Sequence, residues 1–198
     1  MTHRLSSLVL SVVLAVALTG ALTGCDDTDP SPITLGGPSC NVADPVEVNF
    51  TFPVYDADDV TDGKIVITSD RADNLSSVLD GFGGFTRNDV LDAEVTEVTM
   101  ERLTLGGALR IQPKVFGYLG SVNVYYGDDP DGQLIAGQTP VADDPVITLD
   151  NLNTDVTGIV QGSARPITLE LEVDDPGSIG SGGDQVEITV CYRINVEG

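Results

Sequence analysis

Tryptophan is absent from this chain, histidine occurs once as His3, and Lys64 and Lys114 are the only lysines. Each shortage excludes something. His3 lies ahead of an apolar core running from Leu8 to Leu18, broken only by Ser11, and so belongs to a segment with the architecture of an export signal. Once that segment is removed, a nucleophile–histidine pair and His-based zinc chemistry are out of reach. Neither Asp-Thr-Gly nor Asp-Ser-Gly occurs, so there is no signature of an aspartic-protease dyad. Loss of residues 1–24 takes away Arg4 and no acid, leaving 174 residues with 31 acids against 8 bases, a net charge of −23. A surface of that sign repels nucleic acid and anionic headgroups. It also repels itself unless counterions screen it, which points to a saline habitat.

What is present begins with the tetrapeptide Leu22-Thr23-Gly24-Cys25, placed at the end of the apolar run and followed by Asp26-Asp27-Thr28-Asp29-Pro30. A retained helix from Leu5 to Gly24 would just reach the roughly 20 residues of a membrane span. Ser6, Ser7, Ser11, Thr19, Gly20, Thr23 and Gly24 dilute it. The tetrapeptide resembles the bacterial lipobox. The resemblance covers residues 1–25 and implies cleavage between Gly24 and Cys25, with diacylglycerol and palmitate-type chains attached to Cys25. One acyl chain binds a bilayer only marginally, so the two or three expected on Cys25 are what make the membrane anchor durable. The acids after Cys25 resemble the surface-export signals of Bacteroidetes-type lipoproteins, while Asp at the second position resembles an inner-membrane retention signal of enteric bacteria. An outer-membrane or cell-surface location is the favoured expectation.

With Cys25 lipidated, an even pair of cysteines remains, and an exported chain permits a disulfide. Val186, Ile188, Val190, Tyr192, Ile194 and Val196 alternate onto one face, which puts Cys191 on the polar face with Glu187, Thr189, Arg193 and Asn195. A core thiol would point the other way, so a Cys40–Cys191 bridge is expected, with two free thiols as the alternative.

The domain plan is a signal peptide over 1–24, a lipidated flexible tether over 25–39 rich in Asp, Pro, Gly, Ser and Thr, and one β domain over 40–198. Val46, Val48, Phe50 and Phe52 alternate with polar residues, ending at Pro53. A short strand follows at Lys64–Thr68. Leu75, Val78 and Leu79 have helical spacing ahead of Gly81, and Thr86-Arg87-Asn88-Asp89 has the spacing of a capping box. From Val95 to Leu105 the apolar positions shift phase between Met100 and Leu103, which predicts a β-bulge there. Gly127-Asp128-Asp129-Pro130-Asp131-Gly132 separates two strands as a hairpin turn. Val146–Leu149 is another short strand. Val156, Ile159 and Val160 share a helical face within 154–162, and Ile167, Leu169, Leu171 and Val173 alternate with polar residues. About eight short antiparallel strands with a few one- or two-turn helices predict an all-β, two-layer β-sandwich, Ig-like or jelly-roll. The stretch from Val122 to Ala136, with its flanking single-turn helices, resembles uncharacterised envelope lipoproteins with Ig-like or jelly-roll domains, a likeness that implies no activity.

Acidic turns supply candidate calcium ligands in Asp56, Asp58 and Asp62, and in Asp128, Asp129 and Asp131. Calcium takes six to eight oxygens, and neither turn fits the EF-hand template. With Gly63 sixth, the third position is Val60 and the twelfth Ser69; with Gly132 sixth, the first is Gly127. Solvated acidic turns are the plainer reading. Tyr125 falls out of phase with Val122, Val124 and Tyr126, so it is the candidate for stacking on a sugar ring. No catalytic residue and no cofactor is expected. The expected function is a non-enzymatic, lipid-anchored module of the bacterial cell envelope, structural or partner-binding. A calcium- or carbohydrate-binding module is the alternative, and a glycoside-acting enzyme built on paired carboxylates comes third.

Overall fold

The computed structural model describes residues 31–103, 115–128, 130–152 and 154–198. Within them the chain forms nine strands: β1 Ile33–Gly36, β2 Val46–Thr51, β3 Lys64–Thr68, β4 Val90–Arg102, β5 Leu119–Tyr126, β6 Gln133–Gln138, β7 Val146–Asn151, β8 Ile167–Val173 and β9 Val186–Val196. Two short helices, α1 Leu75–Gly81 and α2 Thr157–Val160, sit in the connections. The strand order is β1-β9-β4-β7-β6-β5-β8-β3, with β2 also on β9, and every pairing is antiparallel. Strand β7 joins the layers: Val146–Leu149 pair with β4, whereas Asp150 and Asn151 pair with β6. The fold is the expected all-β sandwich.

Alternation explains which faces meet. Val46, Val48, Phe50 and Phe52 of the β2 segment are buried, as are Val186, Ile188, Val190, Tyr192, Ile194 and Val196 of β9. The facing layer contributes Val122, Val124 and Tyr126 from β5 and Ile167, Leu169, Leu171 and Val173 from β8. Phe50 and Tyr126 meet edge-to-face across the layers with ring centroids 6.4 Å apart. Strands β5 and β6 pair as the expected hairpin, and the Gly127 carbonyl after β5 accepts a bond from Thr168 Oγ1 at 2.8 Å.

Helix α1 buries Leu75 and Leu79, and Val160 of α2 is buried beside Val156. The box at Thr86 forms: the Asp89 carboxylate accepts from the Thr86 N–H at 2.7 Å and from Thr86 Oγ1 at 2.8 Å. A second box at Asp56–Asp59 went unread in the sequence because both of its ends are aspartate.

Two expectations are corrected. The β4 register shifts between Val90 and Asp92 and between Val95 and Glu97, not after Met100. Pairing with β9 runs without a break from Glu97 to Arg102, and the Leu103 N–H continues it onto the Gln185 carbonyl at 2.8 Å. Leu105 lies outside the described residues. Residues 33–36, expected within a flexible tether over 25–39, instead form a strand, with Ile33–Gly36 pairing with β9 from Val196 to Arg193. Four residues with one buried side chain, Leu35, are too few to register as a period in the sequence.

Candidate functional site

Cys25, Gly24 and Asp129 lie outside the described residues. The two other cysteines are joined: Cys40 and Cys191 form a disulfide with Cα atoms 5.5 Å apart. Cys191 leaves β9 on the face opposite Val190 and Tyr192, as the alternation requires. The loop after β1 covers it, and the Cys40 N–H donates to Glu97 Oε2 at 2.8 Å.

In the first acidic turn two carboxylates are used locally. Asp56 Oδ1 accepts the Asp58 N–H and Asp59 Oδ2 accepts the Asp56 N–H, each at 2.8 Å, and Asp56, Asp58 and Asp62 are all exposed. Asp62 turns the chain with φ of 52° ahead of Gly63. Asp128 and Asp131 both line a cleft of about 540 Å³, with Arg165 also in its lining. Among the described residues no group of three or more His, Cys, Asp or Glu is arranged to hold a metal ion. Tyr125 is half-buried on the outer face of β5, where burial and Glu170 raise its pKa while Lys64 acts against them. Glu170 itself is engaged by Lys64 Nζ at 3.3 Å and by Asn123 Nδ2 at 3.4 Å.

The most developed polar chemistry lies elsewhere, at two carboxylates inside the sandwich. Asp73, just before α1, is ion-paired with Arg87 and also accepts the Leu75 N–H at 3.1 Å, the Arg165 N–H at 2.9 Å and the Tyr126 hydroxyl at 3.3 Å. Arg87 donates further to Ser76 Oγ and to the Val160 carbonyl, both at 2.9 Å, and the Tyr192 hydroxyl donates to that of Tyr126 at 3.4 Å. Asp184, just before β9, is ion-paired with Arg102 and accepts the Tyr118 hydroxyl at 2.8 Å. Tyr118 and Tyr55 share a hydrogen bond of 2.8 Å, and Tyr55 and Asp184 exchange backbone bonds of 2.9 and 2.8 Å. Tyr118 immediately precedes β5 and Tyr126 ends it, so the clusters sit at opposite ends of one strand.

Burial governs the tyrosines. It pushes the Tyr55, Tyr118, Tyr126 and Tyr192 hydroxyls above their ordinary value, reinforced at Tyr118 by Tyr55 and Asp184, at Tyr126 by Asp73 and at Tyr192 by Tyr126. Kept protonated, they are hydrogen-bond donors rather than nucleophiles, and each cluster ties distant segments together. Sequence reading missed both, since neither follows a local motif. The usable signal was scarcity, with few arginines among many acids, two of which are held inside the fold.

No protein-family model, no curated protein and no solved structure matches this chain.

Proposed function

We propose that this chain is a lipid-anchored, non-enzymatic β-sandwich module of the bacterial cell envelope, exported and held at the outer membrane or cell surface, with a structural or partner-binding role. The observation that carries the reading is the short distance from anchor to body. Strand β1 begins eight positions after Cys25, and the disulfide to β9 clamps the same end of the chain. Seven intervening residues reach about 24 Å when extended, which limits how far the body stands from the anchor while β1 is paired. The internal carboxylates and phenols support the non-enzymatic part, because they are engaged with one another rather than turned toward a substrate.

Cys25→Ser tests the anchor. The substituted protein is expected to lose lipid labelling and detergent-phase partitioning while the uncleaved precursor accumulates. Normal processing and unchanged partitioning would show that Cys25 carries no lipid.

A further inference from the structure

We infer that β1 is a detachable strap, so that the tether has two lengths and the Cys40–Cys191 disulfide sets the longer one. The strap is lightly held. Ile33 is 42% exposed, Thr34 is exposed with its hydroxyl on Asn195 Oδ1 at 2.6 Å, and Leu35 is the one buried side chain. On the side away from β9, β1 has no strand beside it among the described residues, and a cleft of about 480 Å³ runs along Thr34–Pro38 toward Val42 and Phe82. Segments with few buried apolar contacts open at much lower free energy than the core.

The sandwich does not depend on the strap. Strand β2 covers β9 from Tyr192 to Glu187, and β4 covers its other edge along the whole length. Peeling from Ile33 exposes the edge at residues 193–196 and then meets Cys40, covalently joined to Cys191 in the body. Seven positions, 26–32, separate Cys25 from docked β1, and fourteen, 26–39, separate it from Cys40, twice as many. Extended reach rises from about 24 Å to about 48 Å. The membrane as the fixed end rests on the anchored reading; the two states of the strap do not.

Gly36 provides the lever for a test. Its φ is 74°, and a Cβ there would stand 2.2 Å from the Tyr192 carbonyl oxygen, so Gly36→Ala cannot seat against β9. Gly84→Ala is the control, a positive-φ glycine with nothing within 4 Å of the added Cβ. In amide hydrogen exchange on the mature chain with the disulfide intact, β1 should exchange on the order of a hundredfold or more faster than β2. Gly36→Ala should remove the remaining β1 protection and leave β2 and β4 as they were, and Gly84→Ala should leave β1 unchanged. Pulling single molecules from the N-terminus should release about 24 Å of contour in one step before the body unfolds. That step should be missing in Gly36→Ala and longer after reduction of the disulfide. Exchange of β1 at the rate of β2, or a pulling trace with no early step, would overturn the strap. Neither readout involves lipid, so failure of the anchor at Cys25 would leave it standing.

Discussion

At the two ends of β5 the same residue types, one aspartate, one arginine and two tyrosines, solve the burial of a carboxylate in different ways. Asp73 takes two backbone N–H groups as well as Arg87 and Tyr126, and those N–H groups belong to α1 and to the segment leading into β8. Asp184 takes Arg102 and Tyr118, while its backbone is separately paired with Tyr55. Both ends also carry backbone bonds, one from the Asp73 N–H to the Arg165 carbonyl at 2.8 Å and two between Asp184 and Tyr55, so the difference lies in the carboxylates: that of Asp73 itself takes two backbone N–H groups and that of Asp184 takes side chains. The charges also differ in their access to water: the Arg87 side chain is 10% exposed and that of Arg102 is 17% exposed. A buried charge left without its partner is the costly outcome, and it is costlier where water cannot reach.

The contrast predicts its own sharpest test. Asp73→Ala should cost about 3–5 kcal/mol by leaving Arg87 and two N–H groups unpaired, and Asp184→Ala should fall at or below about 3 kcal/mol. Urea unfolding of the two variants checks it. Equal losses would mean that the loop contacts of Asp73 add nothing to the ion pair.

The hydroxyls should invert the order. Tyr118 donates to Asp184 and bonds Tyr55, both at 2.8 Å, whereas the bonds of Tyr126 are longer, to Asp73 at 3.3 Å and from Tyr192 at 3.4 Å. Tyr118→Phe should therefore cost about 1.5–3 kcal/mol and Tyr126→Phe nearer 1 kcal/mol, because hydrogen bonds to charged groups weaken with distance. A larger loss for Tyr126→Phe, measured by the same unfolding curves, would contradict the assignment of the stronger bond.

Alkali separates the ends least, because both contain two raised tyrosines. Each folded-state pKa lies above the unfolded value near 10, so the fold favours the protonated phenol. Stability from these groups is full below about pH 10 and falls as the pH climbs above it, by about 1.4 kcal/mol per pH unit for each tyrosine. Unfolding midpoints at pH 9, 10 and 11 should hold and then drop steeply, and Tyr118→Phe should drop less steeply than the parent. A midpoint level to pH 11 would mean that these phenols titrate as they do in water.

Much of the frame was legible from residue order. Period-two alternation from Val186 to Val196 marked a strand with one buried face and put Cys191 on the other, where the disulfide lies. The Gly127–Gly132 turn, the box at Thr86 and the helical spacing after Asn74 rest on interactions between near neighbours, which sequence displays directly. The acidic candidates and Tyr125 rest on residue type and exposure alone; of the acids, Asp56 is engaged within its own turn, and Asp128 and Asp131 line a cleft with Arg165.

What the sequence by itself determined is the alternation that makes a sandwich, the apolar leader and tetrapeptide ahead of it, and the strongly acidic surface. Only tertiary structure decided which aspartates go inside and that residues 33–36 form a strand. Asp73 lies 14 residues from Arg87 and 53 from Tyr126, and Asp184 lies 82 from Arg102 and 66 from Tyr118, so no local spacing records either cluster. Burying a carboxylate is unfavourable until an arginine and hydrogen-bond donors converge on it, and that convergence exists only after the strands that carry them have packed. Strand β1 follows the same logic: four residues hold no pattern of their own and become a strand because β9 leaves an edge for them.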